Sequence, residues 1–128
     1  MRRRGLRKLG DLELEILNVI WARGPSTVRE VLEALPEATR PAYTTVLTMM
    51  RLMYEKGYLD RRARGRAHVY LARLRERKVK RGLLRDLVDR AFRGSAEALL
   101  VHLLEDDRLS REELERVRKT VADRGRGA

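Results

Sequence analysis

Cysteine is absent from this 128-residue chain, which excludes disulfides, thiolate metal sites and thiol redox switching. Histidine is nearly as scarce. His68 and His102 stand alone, whereas zinc takes three or four converging ligands, so neither a metal nor any other cofactor is expected. Aromatic residues make up only 5% of the chain, few for a protein that stacks on unpaired bases. No apolar run approaches the ~18 residues of a membrane span, and the opening MRRRGLRKLG lacks the apolar core of a secretory signal. A cytoplasmic location without membrane insertion is therefore expected. No glycine-rich phosphate loop, nucleophile-elbow serine or carboxylate-histidine constellation is present, so the chain is not expected to be an enzyme.

Positive charge is what the chain has in excess: 30 Lys+Arg against 19 Asp+Glu, a formal net +11. Residues 1–74 hold fifteen basic and eight acidic side chains, and residues 75–128 fifteen and eleven, so the excess leans toward the N-terminal half. It gathers in Arg2, Arg3, Arg4, Arg7 and Lys8, in Arg61, Arg62, Arg64 and Arg66, and in Arg75, Arg77, Lys78, Lys80 and Arg81. The natural partner of such clusters is a polyanion, nucleic acid before an acidic membrane surface. Residues 1–8 form a basic arm, for which a disordered solubilising tail and a DNA-reaching segment are both open.

Leu12, Ile16, Val19 and Ile20 recur at i, i+4, i+7 and i+8, with Leu17 and Trp21 beside them. That spacing predicts a helix from Asp11 to Ala22, with Asp11 as N-cap and Gly24-Pro25 as its stop. Thr27-Val28-Arg29-Glu30 has the form of a capping box ahead of Val28, Val31, Leu32 and Leu35, a short second helix ending near Pro36. Thr39-Arg40-Pro41 is expected to open a third helix, with the proline in its first turn, and Gly57 to close it. From Leu59 the period becomes two. Ala67, Val69 and Leu71 alternate with Arg66, His68 and Tyr70, giving a hairpin whose turn glycine, Gly65, can take positive φ. Three helices and a hairpin make a winged helix-turn-helix over residues 9–74, with the hairpin as the wing.

Within it, the segment Tyr43 to Leu59, YTTVLTMMRLMYEKGYL, carries most of the functional information. Tyr43, Val46, Leu47, Met50, Met53 and Tyr54 share an anchoring face, while Thr44, Thr48, Arg51 and Glu55 form a second stripe with Thr45 beside it. Threonine is a mediocre helix former, so three within two turns imply a use beyond propensity. Tyr43, Thr44, Thr45, Thr48 and Arg51 are the expected major-groove residues, hydroxyls and methyls suiting base edges and Arg51 a guanine edge or a phosphate. Arg61, Arg62, Arg64 and Arg66 are expected to hold phosphates or the adjacent minor groove, and Arg40 a further phosphate.

Beyond Leu74 the spacing is helical again. Val79, Leu83, Leu84, Leu87, Val88, Ala91 and Phe92 trace one helix, ended at Gly94. Ser95 caps a second, bearing Ala96, Leu99, Leu100, Leu103 and Leu104, and Ser110-Arg111-Glu112-Glu113 is a capping box before Leu114, Val117 and Val121. Three such helices in about fifty residues have difficulty burying their leucines alone. Residues 75–123 are therefore expected to form an isologous homodimer interface through Leu83, Leu84, Leu87, Phe92, Leu99, Leu100, Leu103, Leu104, Leu114, Val117 and Val121, leaving 124–128 as a disordered tail.

The stretches LGDLELEILNVIWARGPSTVREVLEALP, AYTTVLTMMRLMYEKGYLDRRARGRAHVYL and FRGSAEALLVHLLEDDRLSREELERV resemble the penicillinase repressor family, the BlaI/MecI type, over nearly the whole chain. The Leu9-Gly10 entry, the Ile16 to Trp21 segment, Tyr43-Thr44-Thr45-Val46 and the Leu109-Ser110 cap stand in the family's order and spacing. The resemblance implies a mostly α protein with a winged helix-turn-helix and a C-terminal dimerisation region. It implies a transcriptional repressor bound as a homodimer to a dyad operator, commonly of its own operon and of antibiotic-resistance or stress genes. In members that respond to β-lactams, a membrane metallopeptidase sensor brings about cleavage of the C-terminal region. The family's scissile Asn-Phe pair falls near His102-Leu103, where these residues differ from it. A copper-responsive branch carries a C-terminal cysteine cluster, which this chain lacks. Two other readings stay open on the residues. One is a basic RNA-binding or ribosome-associated protein, with Tyr70 as its main free stacking residue; the other is a ligand-sensing winged-helix regulator with a pocket in its core.

Overall fold

The computed structural model describes residues 9–127. Among these, six helices and a two-stranded antiparallel hairpin run in the order α1 (Asp11–Arg23), α2 (Val28–Ala34), α3 (Tyr43–Glu55), β1 (Leu59–Arg64), β2 (Ala67–Ala72), α4 (Glu76–Ala91), α5 (Ala96–Glu105) and α6 (Arg111–Gly127). A 3₁₀ turn at Glu37–Thr39 lies between α2 and α3. None of these helices is long and apolar enough to cross a membrane. The described residues divide into two compact units, the first ending at Leu84 and the second beginning at Arg85.

The first unit is a winged helix. Its core takes Ile16, Leu17 and Ile20 from α1, Val31 from α2, Val46, Met50 and Met53 from α3, and Leu59 and Tyr70 from the hairpin. The helix ends follow local chemistry. In α2, Thr27 Oγ1 accepts the Glu30 N–H at 3.2 Å and Glu30 Oε1 accepts the Thr27 N–H at 2.9 Å, the expected capping box. At α1 the N-cap is Gly10 rather than Asp11, because Glu13 Oε1 reaches back to accept the Gly10 N–H at 2.8 Å. Asp11 instead sits in the first turn, where its charge meets the helix dipole. The start of α3 also differs from expectation. It opens at Tyr43 after Ala42, leaving Pro41 outside, since a residue before proline is pushed out of helical geometry and Arg40 is extended at φ −63°, ψ 124°.

In the hairpin, Leu59 pairs with Ala72, Arg61 with Tyr70 and Arg64 with Ala67, around a two-residue turn that Gly65 enters at φ +63°. A single bridge joins it to the loop between α1 and α2: Tyr70 N–H donates to Ser26 O at 2.8 Å and Ser26 N–H to Tyr70 O at 3.0 Å. Tyr70 is only 1% exposed, which removes it as a free stacking residue. The hairpin face that carries Leu59 and Tyr70 is the one laid on the helices, so the ring fills the core.

The first unit extends past the expected boundary at residue 74. Trp21 Nε1 donates to Leu74 O at 2.9 Å, Lys80 Nζ lies 5.6 Å from the centre of the Trp21 ring, and Val79 is buried, so the first turns of α4 belong with α1. In the second unit, Ser95 Oγ caps α5 by accepting the Ala98 N–H at 3.0 Å, and Ser110 and Glu113 form the expected box at the start of α6. α6 then continues to Gly127, where a tail from 124 was expected; the Arg126 and Asp123 side chains, one turn apart, pair along it.

Candidate nucleic-acid interface

α3 is held by one side and open on the other. Val46, Met50 and Met53 are fully buried, while Thr44, Thr45, Thr48 and Arg51 are exposed. Thr44, Thr45 and Thr48, with Met49 and Leu52, line a shallow concave surface along the helix. Leu52 was not among the expected groove residues, yet 42% of its surface is exposed there. The helical wheel places it beside Thr48; attention to polar side chains alone passes over it.

The anchoring face is narrower than its spacing suggests. Tyr43 and Tyr54 lie at the rim and remain partly exposed. Each takes an arginine over its ring, Arg29 with Cζ 5.0 Å from the Tyr43 centroid and Arg61 with Cζ 4.0 Å from that of Tyr54. A cation held over an aromatic face is a favourable contact that needs no burial in the core.

The four wing arginines are not equivalent. Cross-strand register puts Arg61 on the same hairpin face as Tyr70, and its guanidinium lies over the Tyr54 ring. Arg62 and Arg64 point to the opposite face and Arg66 lies in the turn; all three are exposed. Arg64 also acts on Glu30, whose carboxyl is held below its ordinary value first by the Thr27 N–H, then by Arg23 and Thr27 Oγ1, and least by Arg64. Arg40, expected as a phosphate contact, is exposed and also has a structural task. Its Nη2 donates to Glu33 O at 3.0 Å and Leu35 O at 2.9 Å, satisfying carbonyls left open at the end of α2.

A further element of the site has no local sequence signal. Glu13, buried in α1, accepts a hydrogen bond from Lys56 at the C-cap of α3, Nζ to Oε2 3.0 Å. That bond raises the Lys56 pKa above its ordinary value. The residues are 43 positions apart, and a lone Glu and Lys at that separation carry no pattern.

In the second unit no described residue is buried, although α5 and α6 are striped with leucine and valine. Leu87, Leu100, Leu103, Leu104, Val117 and Val121 are all exposed; Phe92, Leu99 and Leu114 are half-buried, as is Leu83 on the last turn of α4 within the first unit, beside exposed Leu84. His102 and Leu103 lie in α5, with the His102 ring edge-on to Phe92 at 5.2 Å. No cluster of three metal-ligating side chains occurs among the described residues.

The profile of the penicillinase repressor family matches residues 9–123. The chain is 35% identical over 120 residues to the transcriptional regulator BlaI of Mycobacterium tuberculosis, covering 92% of this chain and 86% of that protein. It is 28% identical over 107 residues to the penicillinase repressor of Bacillus licheniformis, covering 84% of each. Among solved structures, the transcriptional regulator Tm0710 from Thermotoga maritima matches 94% of this chain and 78% of that one, with a TM-score of 0.55 at 19% identity, a likeness of fold.

Proposed function

The chain belongs to the penicillinase repressor family, and from that premise we propose that it represses transcription by binding a dyad operator in double-stranded DNA as a homodimer. The observation that carries the proposal is the two-sidedness of α3. Thr44, Thr45, Thr48 and Arg51 stand free on a helix whose other side is locked by Val46, Met50 and Met53, the arrangement that lets a helix enter the major groove without unfolding. Tyr43, steadied by Arg29, sits at its leading end. Arg62, Arg64 and Arg66 on the wing grip phosphates, adding affinity with little sequence choice.

One such module makes too few base contacts to select a genomic site, so specificity needs a second copy at fixed spacing. The unburied leucines and valines of α5 and α6 support a partner surface of that kind. Release of the DNA follows from damage to this surface, by proteolysis near His102-Leu103 through a membrane metallopeptidase sensor or another protease. Footprinting on the DNA upstream of the protein's own gene tests the proposal. Two protected half-sites related by a dyad are expected, and uniform weak binding along the fragment would refute sequence-specific repression.

A further inference from the structure

The exposed side of α3 carries an apolar side chain, Leu52, among its threonines, and it bears on which bases the helix selects. Thr44, Thr48 and Leu52 recur every fourth residue, about 6 Å apart along the axis, so the row runs about 12 Å. That is the length of three to four base-pair steps. Leu52 lies on the same concave surface as Thr44, Thr45, Thr48 and Met49. An isolated exposed leucine is unremarkable. One set into the hydroxyl-bearing row of a helix otherwise free to enter a groove is placed where base edges would meet it.

We infer that Leu52, with the threonine methyls beside it, forms an apolar seat for thymine C5-methyl groups, making α3 select T·A pairs within each half-site. Leucine has no donor or acceptor and cannot read the nitrogens or oxygens of a base edge. In the major groove the thymine methyl is the only apolar feature those edges offer. Against a G·C pair the same side chain would cover polar edge groups without replacing their hydrogen bonds to water, so the seat also works by rejection. The inference rests on the proposed operator binding and deepens it.

The test uses the full-length protein and the DNA segment found by footprinting. Each thymine in the protected region is replaced in turn by deoxyuridine, which removes the methyl group alone, and affinities are measured for the parent, Leu52→Ala and Leu52→Met. At one or two positions per half-site the substitution is expected to weaken the parent about fourfold, the worth of one buried methyl group. The same deoxyuridine is expected to change binding by Leu52→Ala less than twofold, while Leu52→Met, which keeps an apolar tip, retains the sensitivity. Because Leu52 lies outside the core and alanine is a good helix former, Leu52→Ala stays folded, which its melting curve checks. Indifference of the parent to every deoxyuridine overturns the inference, as does sensitivity that survives unchanged in Leu52→Ala. A parent that protects no site overturns instead the operator-binding proposal beneath it.

Discussion

Replacing Glu13 tests how the groove-facing helix is held in place. The residue is 4% exposed, Oε1 accepts the Gly10 N–H at 2.8 Å and Oε2 accepts a hydrogen bond from the Lys56 ammonium at 3.0 Å. One carboxylate thus caps the start of α1 and ties it to the end of α3. Glu13→Ala removes a capping interaction worth about 0.5–2 kcal/mol and a charge-assisted hydrogen bond worth about 1.5–3 kcal/mol. Half of the Lys56 side chain stays in water, which draws the second figure toward its lower end. Urea unfolding is expected to show a loss of about 2–4 kcal/mol for Glu13→Ala and about 1–2 kcal/mol for Glu13→Gln, which keeps the Gly10 contact. Because the bond to Glu13 raises the Lys56 pKa, the pair contributes fully below the ordinary lysine range and is lost as pH climbs through the raised folded value. The gap between parent and Glu13→Gln should therefore be flat near neutrality and narrow only in strongly alkaline solution. A Glu13→Ala protein within about 0.5 kcal/mol of the parent, or a Glu13→Ala, Lys56→Met cycle with no coupling, would refute the reasoning.

On α3, Thr48→Ala should leave the melting temperature nearly unchanged and lower operator affinity by about 1–3 kcal/mol. Met50→Ala should destabilise the fold by about 2–5 kcal/mol and weaken binding only as the folded fraction falls; calorimetry and gel-shift titration separate the two. On the wing, Arg64→Ala should lower the log–log salt slope of binding by about one unit. Arg61→Ala, which removes a guanidinium that lies over the Tyr54 ring, should weaken binding with the slope little changed. In the second unit, Leu100→Asp places a carboxylate among apolar side chains and should convert a dimer to monomers in sedimentation while the α1–α3 core still melts cooperatively.

Helices and caps were legible because their signals are local. Thr27 with Glu30 and Ser110 with Glu113 write their hydrogen bonds into a four-residue spacing, and Gly65 marks the hairpin turn in the same way. The burial of Tyr70 was not legible. Alternation assigns a residue to a face, but which face of a two-stranded hairpin meets the helices depends on Leu59 and on the Ser26 bridge, a single nonlocal pair with no pattern. The tasks of Arg40 and Arg61 were hidden for a related reason. A long cationic side chain reaches several ångströms, and whether it ends on a carbonyl, a ring or solvent is settled by what tertiary packing brings within that reach. Thr44, Thr45, Thr48 and Arg51 were readable as a free stripe because the core stripe opposite them, Val46, Met50 and Met53, was complete.

The wing is supported like a cantilever. Its root is clamped at one level, where Tyr70 exchanges two backbone hydrogen bonds with Ser26 and where Arg61, directly across from it, lies over Tyr54. Outward from that level the six residues from Ala63 to His68 are all exposed, and their backbone is paired only across the ladder. Bending is therefore concentrated in the free end, and the cationic tip can shift to follow a phosphate backbone of varying groove width while the root, and with it the angle of α3, stays put.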